Sequence, residues 1–391
     1  MDCMPVQLLR RRVRNFMPNA VANAPVDFDL HGFVGVRLLD ATPADVSAVR
    51  RQLGPLESPL TREPEIVCRF VDRLRVRGPL HYIGLDEAAF TDDAYLILRS
   101  RHKARARVQI PMAAIGSRCE IVCERGVPAV PLLIAIINLT ALAQGYAPIH
   151  ASAFAYEGVG VLVAGWAKGG KTEALLGFMA NGATYIGDEW VYLSPDGSEM
   201  YGIPEPMKVW ASHLAAMPRY REALSRAARL RLQALETGAQ LVSTSAGVAR
   251  NSVLGRLLRR AEPVLDRQAY VHLPPDDLFG RERCELRGPL DVVILAGSAD
   301  HRSVEVQPAD ANEIARRMTF SVQHERLDLI GHYQRFRFAF PERNNPILDE
   351  SEGRQRTLLA AALNGKRALT LTHPYPAPIQ EMYETLRPCL R

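Results

Sequence analysis

The sequence contains few cysteines, and they form no recognisable pattern. Six cysteines occur in 391 residues, and they are too scattered for a disulfide framework. Cys119 and Cys123 are four residues apart, but no second Cys or His pair stands nearby at the spacing of metal ligands. We therefore interpret the cysteines as buried or incidental thiols and expect no zinc site.

The sequence also has little excess charge and no apolar run of the length that a membrane span requires. A net charge of +5 is too small to indicate nucleic-acid binding, and we interpret the local Arg clusters as solvated surface. The most apolar segment, 127–143, is shorter than the ~20 residues of a span and contains two prolines, which favours a buried helix over 131–144. The first 15 residues lack the apolar centre of a secretory signal. We expect a cytoplasmic protein without nucleic-acid or membrane partners.

Strand-like and helix-like patterns are mixed along the chain, which predicts an α/β fold with a mixed sheet flanked by helices. Residues 1–125 carry short strand-like runs, and we expect an N-terminal α+β domain there. Residues 126–391 are expected to form a second domain with a helical insertion at about 210–262 and a mobile polar loop at 237–251. The chain after about residue 300 is predicted to be mainly helical.

One stretch points to a chemical function, GWAKGGKT from Gly165 to Thr172, which fits the pattern G-x-x-x-x-G-K-[ST]. An apolar run at 160–164 predicts a buried strand before it, and the pattern at 172–181 predicts a helix after it. A strand, a glycine-rich loop and a helix in this order predict a phosphate loop, because glycines let backbone N–H groups turn toward an anion. The Lys171 ammonium would face the terminal phosphates, and the Thr172 hydroxyl is a hard ligand for Mg²⁺. The candidate nucleotide-binding residues are Gly165, Lys168, Gly169, Gly170, Lys171, Thr172 and Glu173.

Two adjacent carboxylates, Asp188 and Glu189, follow the next predicted strand, 184–186. Phosphoryl transfer needs a carboxylate near the metal ion and a group that orients or deprotonates the acceptor. Because open α/β sheets bind ligands at the carboxyl ends of their strands, we expect this pair on the same edge as the loop. His150 precedes the loop and would, alone, be interpreted as a structural histidine. His373 stands among prolines and aromatics in what we predict to be an exposed loop. We interpret it as core or turn packing, and a lining of the acceptor site is the alternative.

Together these motifs resemble the nucleotide-binding core of bacterial HPr kinase/phosphorylase and its HPr-kinase-like relatives. That core carries a His 22 residues before the Ser or Thr of the loop, as His150 stands before Thr172. It carries an acidic pair 16 and 17 residues after that position, as Asp188 and Glu189 do. The resemblance covers about 148–208, whereas 1–125 shows no match.

The resemblance implies a kinase core related to phosphoenolpyruvate carboxykinase, with ATP and Mg²⁺. By the same resemblance, His150 would lie beside the transferred phosphate, and Lys171 and Thr172 would hold the triphosphate and Mg²⁺. Glu189 would be the general base on the acceptor hydroxyl, and Asp188 would support the metal ion or the base. Relatives assemble, which implies a homo-oligomer.

The sequence departs from the family at several positions. Glu189 stands where the family typically has Asp, and Lys168 precedes Gly169 where the family has Ser-Gly; Lys168 either adds a cation beside the phosphates or points to solvent. The long signature that follows the acidic pair in true HPr kinases is replaced by YGIPEPMKVW, which offers Glu205 and Lys208 as candidate substrate residues. These departures argue against HPr as the acceptor.

We therefore expect a kinase that transfers the γ-phosphate of ATP to a hydroxyl group on a peptide, a protein or a small molecule. One alternative is a nucleotide-hydrolysing regulator that acts through a partner docked on the 210–262 insertion. Another is a nucleotide-responsive scaffold without turnover. The intact set of Lys171, Thr172, Asp188 and Glu189 argues against the scaffold.

Overall fold

A computed structural model describes residues 24–84, 87–99, 105–222, 224–235, 237, 270–300 and 302–391. These residues form a mixed α/β structure in which two large mixed sheets are flanked by helices. Most of the predicted polar loop at 237–251, and the later part of the predicted insertion, lie outside the described residues.

The first sheet is built from the N-terminal strands, in the order β1-β2-β3-β8-β7-β6-β5-β4. Helix α1, Pro43–Leu53, packs with it and begins with a capping box in which Thr42 and Asp45 bond each other's backbone N–H. The strand bounds are β1 Val26–Leu30, β2 Val34–Leu39, β3 Ile66–Val71, β4 His81–Ile83, β5 Ala88–Phe90, β6 Tyr95–Arg99, β7 Arg105–Gln109 and β8 Cys119–Glu124.

The second sheet has the order β16-β13-β12-β9-β10-β17-β19-β18, and β11 also pairs with β9. Strands β10, β17 and β19 are parallel to one another, whereas β9 is antiparallel to β10. Strands β14 and β15 form a separate two-stranded ribbon. The bounds are β9 Ala147–Tyr156, β10 Val159–Ala164, β11 Thr184–Gly187, β12 Trp190–Leu193, β13 Glu199–Gly202, β14 Met207–Trp210, β15 Tyr270–Leu273, β16 Arg287–Pro289, β17 Val292–Ser298, β18 Glu305–Pro308 and β19 Arg367–His373.

The predicted strand at 160–164 is confirmed as β10, which forms an antiparallel hairpin with β9. Strands β9 and β10 are joined at Glu157 and Gly158, which both have positive φ, 50° and 84°. Two left-handed residues give the turn whose twist matches a two-residue hairpin. The strands are almost fully buried because helices cover both faces of the sheet at this point.

The apolar segment at 127–143 forms α2, Leu133–Ala143, a buried helix as predicted. The prediction for the chain after about residue 300 was incomplete: β18 and β19 lie there, and β19 is an inner strand of the second sheet. Its seven residues are flanked on both sides by long helical patterns, which obscured it. The described part of the chain contains no helix long and apolar enough to cross a membrane.

The remaining helices cover the sheets, and a helical stretch at 226–235 belongs to the predicted insertion. Their bounds are α3 Lys171–Ala180, α4 Ala211–Ala216, α5 Pro218–Glu222, α6 Pro275–Phe279, α7 Ala311–Glu325, α8 Leu327–Ala339, α9 Pro346–Asp349, α10 Ser351–Leu363 and α11 Ile379–Leu386. Leu232 in that stretch is buried, as is Leu224 just before it.

Candidate functional site

The topology of the second sheet brings the glycine-rich loop (Gly165–Thr172) and the acidic pair to the same edge. Strand β10 ends at Ala164, immediately before the loop. Strand β11 and strand β10 are each antiparallel to β9, so the two run in the same direction. Their carboxyl ends therefore lie at one edge of the sheet, where α/β sheets bind ligands.

The glycine-rich loop adopts backbone conformations with positive φ, which glycine permits. Gly165 and Gly170 have φ of 155° and 93°, and a Cβ on Gly165 would lie 2.4 Å from the carbonyl oxygen of Ala296. Gly169 N donates to Trp166 O at 3.0 Å, which closes the turn. Helix α3 begins at the end of the loop, and no side chain caps its N-terminus. The N–H groups of its first turn are thus without a side-chain acceptor, as at anion-binding helix ends.

Lys171 is buried and its ammonium group lies across the loop. Its Nζ donates to the carbonyl oxygens of Gly165 and Trp166 at 3.2 and 3.0 Å. Burial lowers the pKa of Lys171, and the nearby carboxylates of Asp188 and Glu189 oppose that shift. The cation is therefore held by weak carbonyl acceptors within the field of two carboxylates.

Asp188 connects the acidic pair to the start of α3. The Thr172 hydroxyl donates to its two carboxylate oxygens at 3.2 and 3.1 Å, and the Ser152 hydroxyl bonds the same group. The residue is 2% exposed. Burial, followed by the charge of Glu189, raises the pKa of Asp188 to about 6. A bound cation would favour the ionised form, and the oxygens of Thr172 and Asp188 are the hard ligands that Mg²⁺ prefers.

Glu189 and His150 form the second pair. His150 Nε2 lies 2.7 Å from Oε2 of Glu189, and Nδ1 lies 3.3 Å from Oε1 of Glu325. Burial lowers the pKa of His150, but the hydrogen bond to Glu189 and the nearby carboxylate of Glu325 outweigh it, so the pKa is raised. The bond to His150 in turn lowers the pKa of Glu189. The Glu189 side chain is 44% exposed, which makes it far more accessible than Asp188.

The backbone of Glu189 is strained. Its φ is 71°, a conformation that costs a non-glycine residue on the order of 1–3 kcal/mol. The peptide groups around it are fixed: Ala151 N donates to Glu189 O, and Trp190 N donates to Asp188 O, both at 3.1 Å. Strain maintained in this way is common at functional sites. Here it makes two consecutive carboxylates diverge, one toward Thr172 and the other toward His150.

The other predicted site residues, Glu173, Lys168 and Lys208, differ from one another in their contacts. Glu173, predicted with the loop, accepts from His213 Nε2 at 3.0 Å, and this contact ties α3 to α4. Lys168 has a φ of 63°. Lys208 lies over the rings of Trp210 and Tyr270, 4.5 and 4.0 Å from their centroids.

Electrostatics connects the two candidate substrate residues to the acidic pair. Burial lowers the pKa of Lys208, while the charge of Glu189 raises it and that of Lys168 lowers it further. Burial also raises the pKa of Glu205 to about 8, and the charge of Glu189 adds to this effect. Both residues therefore lie within the electrostatic reach of Glu189.

His373 itself is buried, in agreement with core packing, although Tyr375, two residues later, is 82% exposed. His373 ends β19, is 1% exposed, and its Nε2 lies 3.0 Å from Gly169 O. A Cβ on Gly170 would lie 2.2 Å from the same Nε2. His373 therefore forms part of the support of the loop. A contact spanning 204 residues leaves no local signal in the sequence.

Ser152, Glu325 and His324 also escaped the sequence analysis. Ser152 could have been found, because it lies on the same face of β9 as His150, two residues along. Glu325 and His324 lie at the end of α7, and nothing in their neighbourhood in the sequence points to the loop. The His324 ring packs on the exposed ring of Trp166, with centroids 5.0 Å apart.

No protein-family model matches the chain, and a search of curated proteins found no match either.

Proposed function

We propose that the chain is an ATP- and Mg²⁺-dependent phosphotransferase with an HPr-kinase-like phosphate-loop core. Its acceptor would be a hydroxyl group on a peptide, a protein or a small molecule. The observation that supports this proposal best is the contact of Thr172 with Asp188 beside the buried ammonium of Lys171. A phosphate-binding lysine, a hydroxyl and a carboxylate thus meet at an uncapped helix N-terminus.

The loop fits a triphosphate. Gly165 and Gly170 leave no room for a Cβ, because Ala296 O and His373 Nε2 occupy that space, and glycine therefore permits the tight loop backbone. The carbonyl oxygens that hold Lys171 Nζ are uncharged, and phosphate oxygens would be stronger acceptors for the same ammonium group. Lys171 would therefore turn from the loop carbonyls to the terminal phosphates when a nucleotide binds.

Thr172 and Asp188 would hold Mg²⁺. When bound, the ion neutralises charge on the phosphates and helps to orient them for transfer. Asp188 suits this role because it is buried, adjacent to the Thr172 hydroxyl and destabilised as an anion. Its two oxygens are already engaged by Thr172 and Ser152, which leaves it poorly placed to receive the proton of an acceptor.

Glu189 is the better base. Its Oε2 is bonded to His150, no hydrogen bond to Oε1 occurs within the described part of the chain, and the side chain is accessible. The lowered pKa keeps the carboxylate ionised at neutral pH, so it can accept a hydrogen bond from the acceptor hydroxyl and then its proton. Lys208 and Glu205, within the electrostatic reach of Glu189, are the residues that we expect to contact the acceptor.

The direct test is ³¹P NMR of ATP and Mg²⁺ with a panel of hydroxyl acceptors: Ser- and Thr-containing peptides, small alcohols and sugars. The γ-phosphate signal should be replaced by a phosphomonoester signal with an acceptor present. Release of inorganic phosphate without any acceptor, accelerated by a partner protein, would instead favour the hydrolysing regulator.

Glu189→Gln should abolish transfer while nucleotide binding is retained. Glu157→Gln is a matched control, since Glu157 also has a left-handed backbone, with a φ of 50°, but lies in the hairpin turn at the other end of β10. Full transfer activity in Glu189→Gln would show that the base is another group.

A further inference from the structure

Three consecutive residues where α7 ends, His324, Glu325 and Arg326, contact the loop, His150 and the buried core, respectively. His324 packs on Trp166 of the loop. Glu325 lies 3.3 Å from His150 Nδ1. Arg326 is fully buried and donates from Nη2 to Gln355 Oε1 at 2.5 Å. The end of this helix is therefore in contact with the loop, the histidine and the core.

We propose that Glu325 is a positioning residue for the phosphoryl transfer proposed above. It orients His150 so that Nε2–H points at Oε2 of Glu189, which leaves Oε1 of Glu189 free for the acceptor hydroxyl. The inference rests on the proposed function for its role in transfer, but the contact it invokes is independent of that function.

The chemistry of imidazole supports this assignment. His150 has a carboxylate near each ring nitrogen: Nε2 is hydrogen-bonded to Glu189, and Nδ1 lies 3.3 Å from Glu325 as an ion pair without hydrogen-bond geometry. Two carboxylates in these positions favour the ring that carries a proton on both nitrogens. Without Glu325, a neutral ring would be free to place its single proton on Nδ1 and to turn its Nε2 lone pair toward Glu189. Four charged or titratable groups act on His150: Glu189, Glu325, Lys171 and Glu205. Glu325 is the one that faces Nδ1.

The fold holds Glu325 in place through its neighbour. Arg326 is connected through Gln355 to strand β9, because Gln355 Nε2 donates to Pro148 O at 2.8 Å, two residues before His150. Burial lowers the pKa of Arg326 to about 10, so this placement is costly. A buried arginine would not be expected at a helix end that only covers the sheet. Arg326 therefore fixes the distance between Glu325 and strand β9, which carries His150.

The first experiment compares Glu325→Gln with Glu313→Gln in steady-state kinetics. Glu313 is on the same helix, and its side chain is 39% exposed. Within the described part of the chain it forms ion pairs with Arg316 and Arg317, so it is a matched control. We expect kcat to fall at least about tenfold in Glu325→Gln, because the ion pair that holds the His150 ring is lost. KM for the nucleotide should change less than about twofold, because the contact is not with the nucleotide. An unchanged kcat in Glu325→Gln would overturn the inference.

The second experiment does not depend on activity. The ¹⁵N NMR signals of His150, assigned by comparison with His150→Gln, are followed against pH in the wild type and in both variants. Glu325→Gln should lower the pH midpoint of His150, and Glu313→Gln should leave it unchanged. The same midpoint in Glu325→Gln and the wild type would overturn the inference. If the wild type transfers no phosphate to any acceptor, the proposed function fails, and this titration still decides whether Glu325 holds His150.

Discussion

The hydroxyl of Thr172 lies 3.1 Å from a carboxylate oxygen of Asp188, although the two residues belong to different elements. Thr172 is the second residue of α3, and Asp188 follows β11. This single contact joins the glycine-rich loop to the acidic pair. The Asp188 carboxylate in this contact is buried beside the carboxylate of Glu189. The Thr172 hydroxyl could instead coordinate a metal ion through its oxygen.

The raised pKa of Asp188 predicts that Asp188→Asn stabilises the protein. The folded state binds this proton more tightly than the unfolded state, because the pKa rises from its ordinary value of 3.8 to about 6. Ionisation therefore disfavours folding above pH 6, and the penalty disappears as the pH falls below about 4. Measured with EDTA present, Asp188→Asn should be more stable at pH 8 by about 1–3 kcal/mol, and the difference should vanish near pH 4.

Asp196→Asn provides a control of the opposite sign. Hydrogen bonds from Ser194 and Ser198 lower the pKa of Asp196 to about 2, so its ionised form favours the folded state above pH 4. This stabilisation is lost as the pH falls toward 2. Asp196→Asn should therefore lower stability at pH 8. Denaturant titrations in which the two variants shift in the same direction at pH 8 would contradict the assigned pKa shifts.

The Thr172 hydroxyl should determine the Mg²⁺ requirement. Thr172→Val keeps the branched shape but removes the oxygen, so the Mg²⁺ concentration for half-maximal transfer should rise at least about tenfold. Thr172→Ser keeps the oxygen and should stay within about threefold of the wild type, with the difference set by the lost methyl group. Equal Mg²⁺ requirements in the Val and Ser variants would exclude this hydroxyl as a ligand.

Nucleotide binding should be visible in tryptophan fluorescence. The chain has three tryptophans, and all lie around the site: Trp166 in the loop, Trp190 beside His150 and Trp210 beside Lys208. ATP should change the emission of the wild type. Lys171→Met should raise the Kd at least about tenfold, because the ammonium that faces the phosphates is lost.

Lys366→Met, at a lysine that follows α10, serves as the control for Lys171→Met and should bind like the wild type. Trp166→Phe should remove part of the emission change, since its ring is 53% exposed at the loop. A Kd for Lys171→Met equal to that of the wild type would contradict the assignment of the loop as a phosphate site.

Gly170 and Gly182 allow backbone strain to be separated from steric conflict. Both have left-handed backbones, with φ of 93° and 97°. A Cβ on Gly170 would meet His373 Nε2, whereas a Cβ on Gly182 would meet nothing within 4 Å. Gly182→Ala should cost about 1–2 kcal/mol of folding free energy, and Gly170→Ala clearly more.

Combining Gly170→Ala with His373→Ala should recover part of that extra cost, because the conflicting ring is removed. Denaturant titrations of the two single variants and the double variant supply the comparison. Equal costs for Gly170→Ala and Gly182→Ala would show that His373 does not support the loop.

The site could be predicted from the sequence only where its parts are close in the chain. His150, Lys171, Thr172 and Asp188 fall within 39 residues, and short strands and turns constrain their relative positions. Glu325 and His373 approach the same site from helices and strands far along the chain. Their positions depend on how α7 and β19 pack on the sheet, and such packing leaves no periodic or spacing signal. Strand β19 itself was missed for the same reason, since its inner position is set by β17 and β18.

The hairpin of β9 and β10 also limits how the spacing between His150 and the glycine-rich loop can vary. Ala151 is paired with Ala164, so the histidine and the loop are adjacent across one antiparallel ladder. If the two-residue turn is kept, each residue added to or removed from β9 must be matched by one added to or removed from β10. Removing a single residue from one strand would turn His150 to the opposite face of the sheet. The 22-residue interval between His150 and Thr172 therefore has a parity: homologous sites should differ from it by even numbers of residues.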